Sequence, residues 1–220
     1  MPTPTPVDRS APALGVIFTP DDDITQYEVN SRRVGVAETQ PAGMLIHWAA
    51  ETRYGVSTGS LWRRRDLGEK FVASVLADAI TASAGELNKA GGLTHDVSYQ
   101  LWPIETFTTG PAAKVAAGRD IGEAAGAIVC TPKFAASDAA YRGAVEKLDL
   151  ETKMPEAMIM HAVAQVEDGR RWVDVWLDEE STVGYYEAAG AAVGEVERVQ
   201  LHTLVINLEE LAEVPRFKRM

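Results

Sequence analysis

The chain is poor in cysteine, in positive charge and in long apolar runs, and each shortage removes a class of protein. Of its 220 residues only Cys130 is a cysteine, so no intramolecular disulfide can form and a reducing compartment fits. Cys130 follows Val129 on an expected core strand, where a thiol packs as a small apolar side chain. Lysine and arginine number 21 against 32 aspartates and glutamates, giving a net charge of −11. A phosphate backbone would be repelled, which argues against nucleic acid. The basic cluster Arg216, Lys218 and Arg219 reads as a short solvated end. No apolar run approaches the ~20 residues of a membrane span. The start, Met1-Pro2-Thr3-Pro4-Thr5-Pro6, lacks the cationic and apolar segments of an export signal. The expectation is a cytoplasmic protein without membrane or nucleic-acid partners.

Two further motifs are missing. Ala90-Gly91-Gly92 and Gly122-Glu123-Ala124-Ala125-Gly126 lack the strand–turn–helix setting of a nucleotide loop. The histidines, at 47, 95, 161 and 202, are scattered without ligand spacing, so no metal is expected.

What is present is a repeat. Tyr27, Pro41, Met44, His47, Gly55 and Trp62 recur 114 residues later as Tyr141, Pro155, Met158, His161, Gly169 and Trp176. Leu61/Val175 and Phe71/Tyr185 are similar pairs at the same offset. A period this long fits a duplicated domain rather than a solenoid. Near the end of each unit the offset falls to 100, where Gln100-Leu101 matches Gln200-Leu201, so the second unit is shorter.

Residues 1–13, rich in Pro, Ser and Thr, read as a flexible arm. A first module spans 14–107: a strand at Gly15–Phe18, a helix from Ile24 to Val34, a hairpin of Met44–Ala50 and Val56–Arg63, a helix opened by Asp66 and running to about Ala84, and a strand over Val97–Phe107. Pro103 marks that last strand as an edge or a bulge. Residues 108–126 read as a linker with one helical turn. A second module, 127–208, repeats the order: strand Ala127–Cys130, a helix from Ser137 to Leu148, a hairpin of Met158–Ala164 and Arg171–Leu177, a helix from Asp178 to about Val193, and strand Val199–Leu208. Residues 209–220 form a tail. Each module is β-α-β-β-α-β, the ferredoxin-like order, so the fold class is α+β with two such modules in tandem. The acidic runs at 21–23 and 178–180 precede helices and read as caps.

With Asp168-Gly169 as a two-residue turn, Glu167 pairs with Arg170, and His161 faces Trp176. One face of the hairpin then carries Ile159, His161, Val163, Gln165, Trp172, Asp174 and Trp176. The other carries Met158, Met160, Ala162, Ala164, Val173, Val175 and Leu177. In the first module His47 falls opposite Trp62, with Leu45, Ala49, Glu51, Thr58 and Ser60 on its face. The apolar set is expected beneath the helices. The mixed set is too apolar for water and too polar to pack dry, so it is expected to line a ligand cavity between the two sheets.

The run Pro155-Glu156-Ala157-Met158-Ile159-Met160-His161, then Asp168-Gly169, Trp172-Val173-Asp174-Val175-Trp176 and Asp178-Glu179-Glu180 before an aromatic-bearing helix, resembles the dimeric α+β barrel superfamily. The resemblance is to its antibiotic-biosynthesis-monooxygenase-like members in particular. The first module carries a weaker version in Tyr27-Glu28-Val29-Asn30, Pro41, His47-Trp48-Ala49, Trp62 and Phe71. The resemblance implies that the two modules close into one pseudo-dimeric barrel, which a single-module relative would build as a dimer. The superfamily includes cofactor-free monooxygenases, polyketide cyclases, haem-degrading enzymes, haem peroxidases and proteins without known activity. Tyr27 and Asn30 resemble the family's Tyr-x-x-Asn, and the second module has Tyr141 with Ala144 in the asparagine's place.

On this reading His161 is a general base for a phenolic or enolic proton, and Asp174 orients it. Trp172 and Trp176 are walls for an aromatic or polyketide-like substrate. His47 is the first module's catalytic counterpart, and Trp62, Gln165, Glu51, Ser60 and Asn30 complete the substrate contacts. The expected function is a cofactor-independent monooxygenase or cyclase of bacterial secondary metabolism, acting on a small aromatic molecule. No cofactor is expected. Haem is the alternative, and no histidine on the second helix of either module offers an axial ligand. The competing function is a non-catalytic or stress-related barrel that binds a hydrophobic molecule. In a third reading the barrel is filled by its own side chains and serves assembly. Since Thr58 and Ser60 stand where the second module has Trp172 and Asp174, the second module is expected to hold the working cavity. Two pseudo-dimers could associate further into a homo-oligomer.

Overall fold

A computed structural model describes residues 8–20, 24–52, 54–76, 98–117, 127–130, 134–135, 143, 146–149, 153–166, 169–189, 197–214 and 217–218. Alternation of β-branched and apolar residues builds the strands, and Gly or Pro bounds most of them. In chain order they are β1 (Ala13–Pro20), β2 (Met44–Thr52), β3 (Gly55–Trp62), β4 (Ser98–Thr109), β5 (Ala127–Cys130), β6 (Phe134–Ala135), β7 (Met158–Val166), β8 (Gly169–Trp176), β9 (Glu197–Ile206) and β10 (Phe217–Lys218). The helices are α1 (Ile24–Val34), α2 (Val36–Thr39), α3 (Arg65–Phe71), α4 (Ala113–Ala117), α5 (Glu179–Ala189) and α6 (Leu208–Glu213). A five-residue π turn, Val72–Leu76, continues α3.

All pairings are antiparallel and run β1-β3-β2-β9-β5-β8-β7-β4, with β4 paired back to β1. The sheet therefore closes on itself as a mixed α+β barrel, and short β6 and β10 attach to β8 and β4. The N-terminal strands occur in the order β4-β1-β3-β2 and the C-terminal strands in the order β9-β5-β8-β7. The two groups meet at two seams, β2 on β9 and β7 on β4. At the second seam the register slips between Ile104 and Thr106, one residue after Pro103, so the proline sits beside a bulge.

One cluster fills the inside. Leu14, Trp48, Ala50 and Leu61 from the N-terminal strands pack with Met160, Ala162, Ala164, Val173 and Val175 from β7 and β8, and with Leu201 from β9. Eight strands enclose a space that side chains can fill. Trp48 needs Gly59 to lie inside it: a Cβ there would stand 2.0 Å from Cζ2 of the indole. Short helices close the barrel ends, with Ala112, Ala113 and Ala116 around α4 and Leu211 of α6 entering the same cluster.

This corrects the expected facing of the strands. The apolar set lies inside the barrel and the mixed set outside, except around the bulges that open β2 and β7, where Met158 stands opposite Trp176 while Leu45 and Ile159 join the inner cluster. A dry interior shared by two sheets suits residues with no polar atoms, whereas His and Asp need hydroxyl partners, which the tyrosines of α1 and α5 provide. The hairpin registers are corrected too. Val166 pairs with Gly169 and Thr52 with Gly55, so each glycine opens the returning strand instead of filling the loop. His161 therefore stands opposite Asp174, not Trp176, and His47 stands opposite Ser60, not Trp62.

The α3 start is capped by the chain ahead of β1. Its Arg65 and Asp66 N–H groups donate to the carbonyls of Ala11 and Arg9, at 2.8 and 3.0 Å. At α5 the expected acidic cap is present: Asp178 accepts from Ser181 N–H at 2.7 Å. Among the described residues no helix is long and apolar enough to cross a membrane.

Candidate functional site

The β7–β8 ladder places His161 and Asp174 side by side on its outer face, with Nδ1 2.6 Å from Oδ1. Asp174 is 0% and His161 5% exposed. The second carboxylate oxygen accepts a short hydrogen bond from the Tyr186 hydroxyl of α5. A buried carboxylate is costly unless paired, and here both oxygens are held. Among the described residues the imidazole has no hydrogen-bond partner at Nε2. If Nδ1 carries the proton that Asp174 accepts, the Nε2 lone pair is the free one, the arrangement that makes histidine a base.

Aromatic rings pack around this dyad. The Trp172 ring meets His161 nearly edge-on, at 86° and 5.1 Å between centroids. Trp176 contacts Tyr185 at 5.2 Å and Tyr186 at 5.9 Å, and the two tyrosines cross at 89° and 5.1 Å. Trp172, Trp176 and Tyr186 are buried, while Tyr185 is partly open. Burial, followed by the negative charge of Asp174, pushes the Tyr186 phenol well above its ordinary range. Tyr185 is pushed up by burial first, then by the charges of Asp174 and Asp149. Its hydroxyl is buried without a hydrogen-bond partner among the described residues.

The N-terminal half carries a related but uncharged arrangement. His47, 7% exposed, has Nδ1 2.8 Å from Ser60 Oγ and Nε2 2.9 Å from the Tyr27 hydroxyl. Burial lowers its pKa to about 4, partly opposed by a backbone contact at Gly59, so the ring stays neutral near pH 7. Burial also pushes Tyr27 up, against the hydroxyls of Ser31 and Thr203. Trp62 packs against Phe71 at 5.2 Å, the separation found for Trp176 and Tyr185. Gly68 lets α3 come this close, because a Cβ would lie 3.0 Å from the indole. Gly15, Ile17, Thr58, Ser60, Trp62, Phe71 and Val72 line a small cavity with room for about one water molecule.

The expected site residues thus separate into three sets. His161, Asp174, Trp172 and Trp176 come together under α5. His47, Ser60 and Trp62 come together under α1 and α3. Gln165 and Glu51 stand exposed near the hairpin tips, each about 13 Å along its strand from the corresponding histidine. Asn30 lies on α1 with its side chain outside the described residues, as are Tyr141, Ala144, His95 and the side chain of Cys130. Tyr186 is the member of this cluster that reading the chain missed. Its signal is the four-residue spacing from Thr182: both are buried on α5, each followed by an exposed residue, Val183 and Glu187.

Among the described residues no three metal-ligating side chains gather. Described α5 has no histidine, cysteine or methionine to serve haem as an axial ligand, and the Tyr186 hydroxyl is engaged by Asp174.

No family model matches the chain, and no curated protein matches it in sequence. Solved structures do share its fold. A candidate monooxygenase from Fusobacterium nucleatum subsp. nucleatum superposes with a TM-score of 0.65 at 11% identity, over 96% of this chain and 99% of the other. Another, from Lactobacillus acidophilus NCFM, gives 0.58 at 13% identity, over 89% and 96%. A candidate chlorite dismutase gives 0.51 at 10% identity, over 87% and 95%. At such low identity the likeness is one of fold, and that fold is an α+β barrel.

Proposed function

We propose that the chain is an oxidative small-molecule enzyme whose general base is His161. The carrying observation is the buried Asp174 carboxylate, bonded at one oxygen to His161 Nδ1 and at the other to Tyr186. A carboxylate held in this way fixes the imidazole's tautomer and supports the positive charge that forms when Nε2 accepts a proton. The substrate is an aromatic or polyketide-like molecule with a phenolic or enolic proton, bound beside Trp172 and Trp176. Loss of that proton leaves an electron-rich anion, which in a monooxygenase reaction gives its electrons to dioxygen without a bound cofactor; a cyclase would carry the same anion onto a carbonyl carbon. The name of the monooxygenase-like neighbours favours the oxidative branch.

Two ferredoxin-like modules in tandem, derived from one by duplication, account for the design. The matching strand orders of the two halves support this, as do the equivalent hairpin pairs His47/Ser60 and His161/Asp174. The C-terminal half kept a carboxylate and the N-terminal half has a hydroxyl.

A second reading rests on the cavity beneath α3. Ser60, which holds neutral His47, and Thr58 beside Trp62 and Phe71 suit an uncharged molecule no larger than water, bound without turnover. The test separates the two. Oxygen uptake with a panel of hydroxylated naphthalenes and anthracenes is followed in the unaltered protein, in His161→Ala and in Ser60→Ala. The base reading expects His161→Ala to lose at least about 100-fold in rate and Ser60→Ala to lose little. Turnover that survives His161→Ala sinks it.

A further inference from the structure

Three partly separate observations converge on Tyr185. First, its hydroxyl is buried with no hydrogen-bond partner among the described residues, and an orphaned buried donor in a native structure calls for a ligand or water. Second, the position is one where the fold already manages without a hydroxyl: 114 residues earlier stands Phe71, which packs on Trp62 as Tyr185 packs on Trp176. Packing alone therefore does not call for the oxygen. Third, Phe71 lines the N-terminal cavity together with Thr58, Ser60, Trp62 and Val72. The corresponding C-terminal residues are Trp172, Asp174, Trp176 and Tyr186. The place where one half leaves space over the sheet is, in the other half, the place where Tyr185 meets the His161–Asp174–Tyr186 chain.

Tyr185 is also the partly open member of its aromatic cluster, whereas Trp172, Trp176 and Tyr186 are buried. Tyr186, next to it, is committed to Asp174 and has no proton to offer.

We infer that the Tyr185 hydroxyl is the oxyanion donor of the His161 site, holding the oxygen of a phenol, or of an enolisable aromatic ketone, from which His161 removes a proton. This rests on the reading of His161 as base. The proton moves from the substrate to His161 Nε2, the electron pair it leaves settles on the substrate oxygen, and the Tyr185 O–H donates to that oxygen throughout. No oxidant enters this step. Burial and the nearby negative charges keep the phenol of Tyr185 protonated, as a donor must be. A donor placed at developing negative charge typically contributes ~10²-fold or more to rate.

The test uses 2-naphthol, a weak acid whose neutral and anionic forms have distinct fluorescence. Its affinity and its apparent pKa when bound are measured with the full chain and with Tyr185→Phe, the residue the N-terminal half already uses. His161→Ala is the third protein, and near-ultraviolet circular dichroism checks each fold. The full chain is expected to bind naphtholate and lower its pKa. Tyr185→Phe should keep the fold, raise the bound pKa by about one unit and weaken naphtholate at least tenfold, with neutral naphthol little changed. A Tyr185→Phe protein that binds naphtholate as the full chain does, while His161→Ala does not, overturns the role of Tyr185 and leaves the base intact. A full chain that leaves the pKa of naphthol unmoved, or does not bind it, overturns both.

Discussion

Asp174 lies directly across the β7–β8 ladder from His161, its Oδ1 2.6 Å from Nδ1, and is closed off from solvent. The N-terminal hairpin repeats the placement with Ser60 opposite His47 at 2.8 Å. One geometry thus supports two kinds of imidazole, one facing a charge and one facing a hydroxyl.

Removing the charged partner should cost far more than removing the neutral one. Asp174→Ala leaves the Tyr186 hydroxyl and His161 Nδ1 buried without their acceptor, and is expected to lose about 3–5 kcal/mol. Ser60→Ala should lose only about 1 kcal/mol. Urea unfolding of both proteins measures the difference; equal losses would mean that Asp174 is not the hub of its cluster.

Acid should unfold the N-terminal site through His47. Its folded pKa, about 4, lies below the unfolded value of about 6.5, so between these values the unfolded chain binds more protons. The contribution is present in full above pH ~6.5 and lost as pH falls toward 4, on the order of 3 kcal/mol in all. Thermal melts across this window should be steeper in pH for the unaltered chain than for His47→Gln. Parallel profiles would remove His47 from the account.

Alkali should act through the tyrosines. Tyr185 and Tyr186 have folded pKa values above the ordinary 10, so their stabilisation is complete below about pH 10 and declines above it. Their tyrosinate absorbance is expected to appear together with loss of structure. Titration of all tyrosines while the fold persists would contradict their burial against Asp174.

The filled barrel makes a packing prediction. Gly59→Ala places a methyl into the Trp48 indole and should destabilise by about 1–3 kcal/mol or more. Pairing it with Trp48→Leu should recover part of that loss, because the two sites touch and their effects cannot add. Simple additivity in a double-mutant cycle would show that the indole does not lie where Gly59 admits it.

Much of the fold is legible in the chain because it rests on local pattern. The α1 span over Ile24–Val34 and the β5 span over Ala127–Cys130 follow from periodicity and bounding residues, and they stand where expected. The nearness of His161 and Asp174 was legible as well, since the hairpin keeps both on one face under either register. The register itself was not, because a glycine such as Gly169 can fill a loop or open a strand, and its φ of 155° emerges only in the folded ladder. Which face points inward was also beyond reach. Alternation separates Met160 and Ala162 from His161 without saying whether a helix or a second sheet will cover them. That choice is made by partners distant in sequence, Trp48 on one side and Tyr186 on the other. Tyr186 was hidden for the same reason: its acceptor comes from another element, and the four-residue spacing from Thr182 marks a buried helix face without pointing to Asp174.

The proposed chemistry depends on Asp174 holding His161 with Nε2 available as a base. Nitrogen-15 NMR of the histidine-labelled protein, recorded where the ring is neutral, tests it most directly. The expected His161 signal has the proton on Nδ1 and none on Nε2, and that preference is lost in Asp174→Asn. A neutral His161 carrying its proton on Nε2 would contradict it.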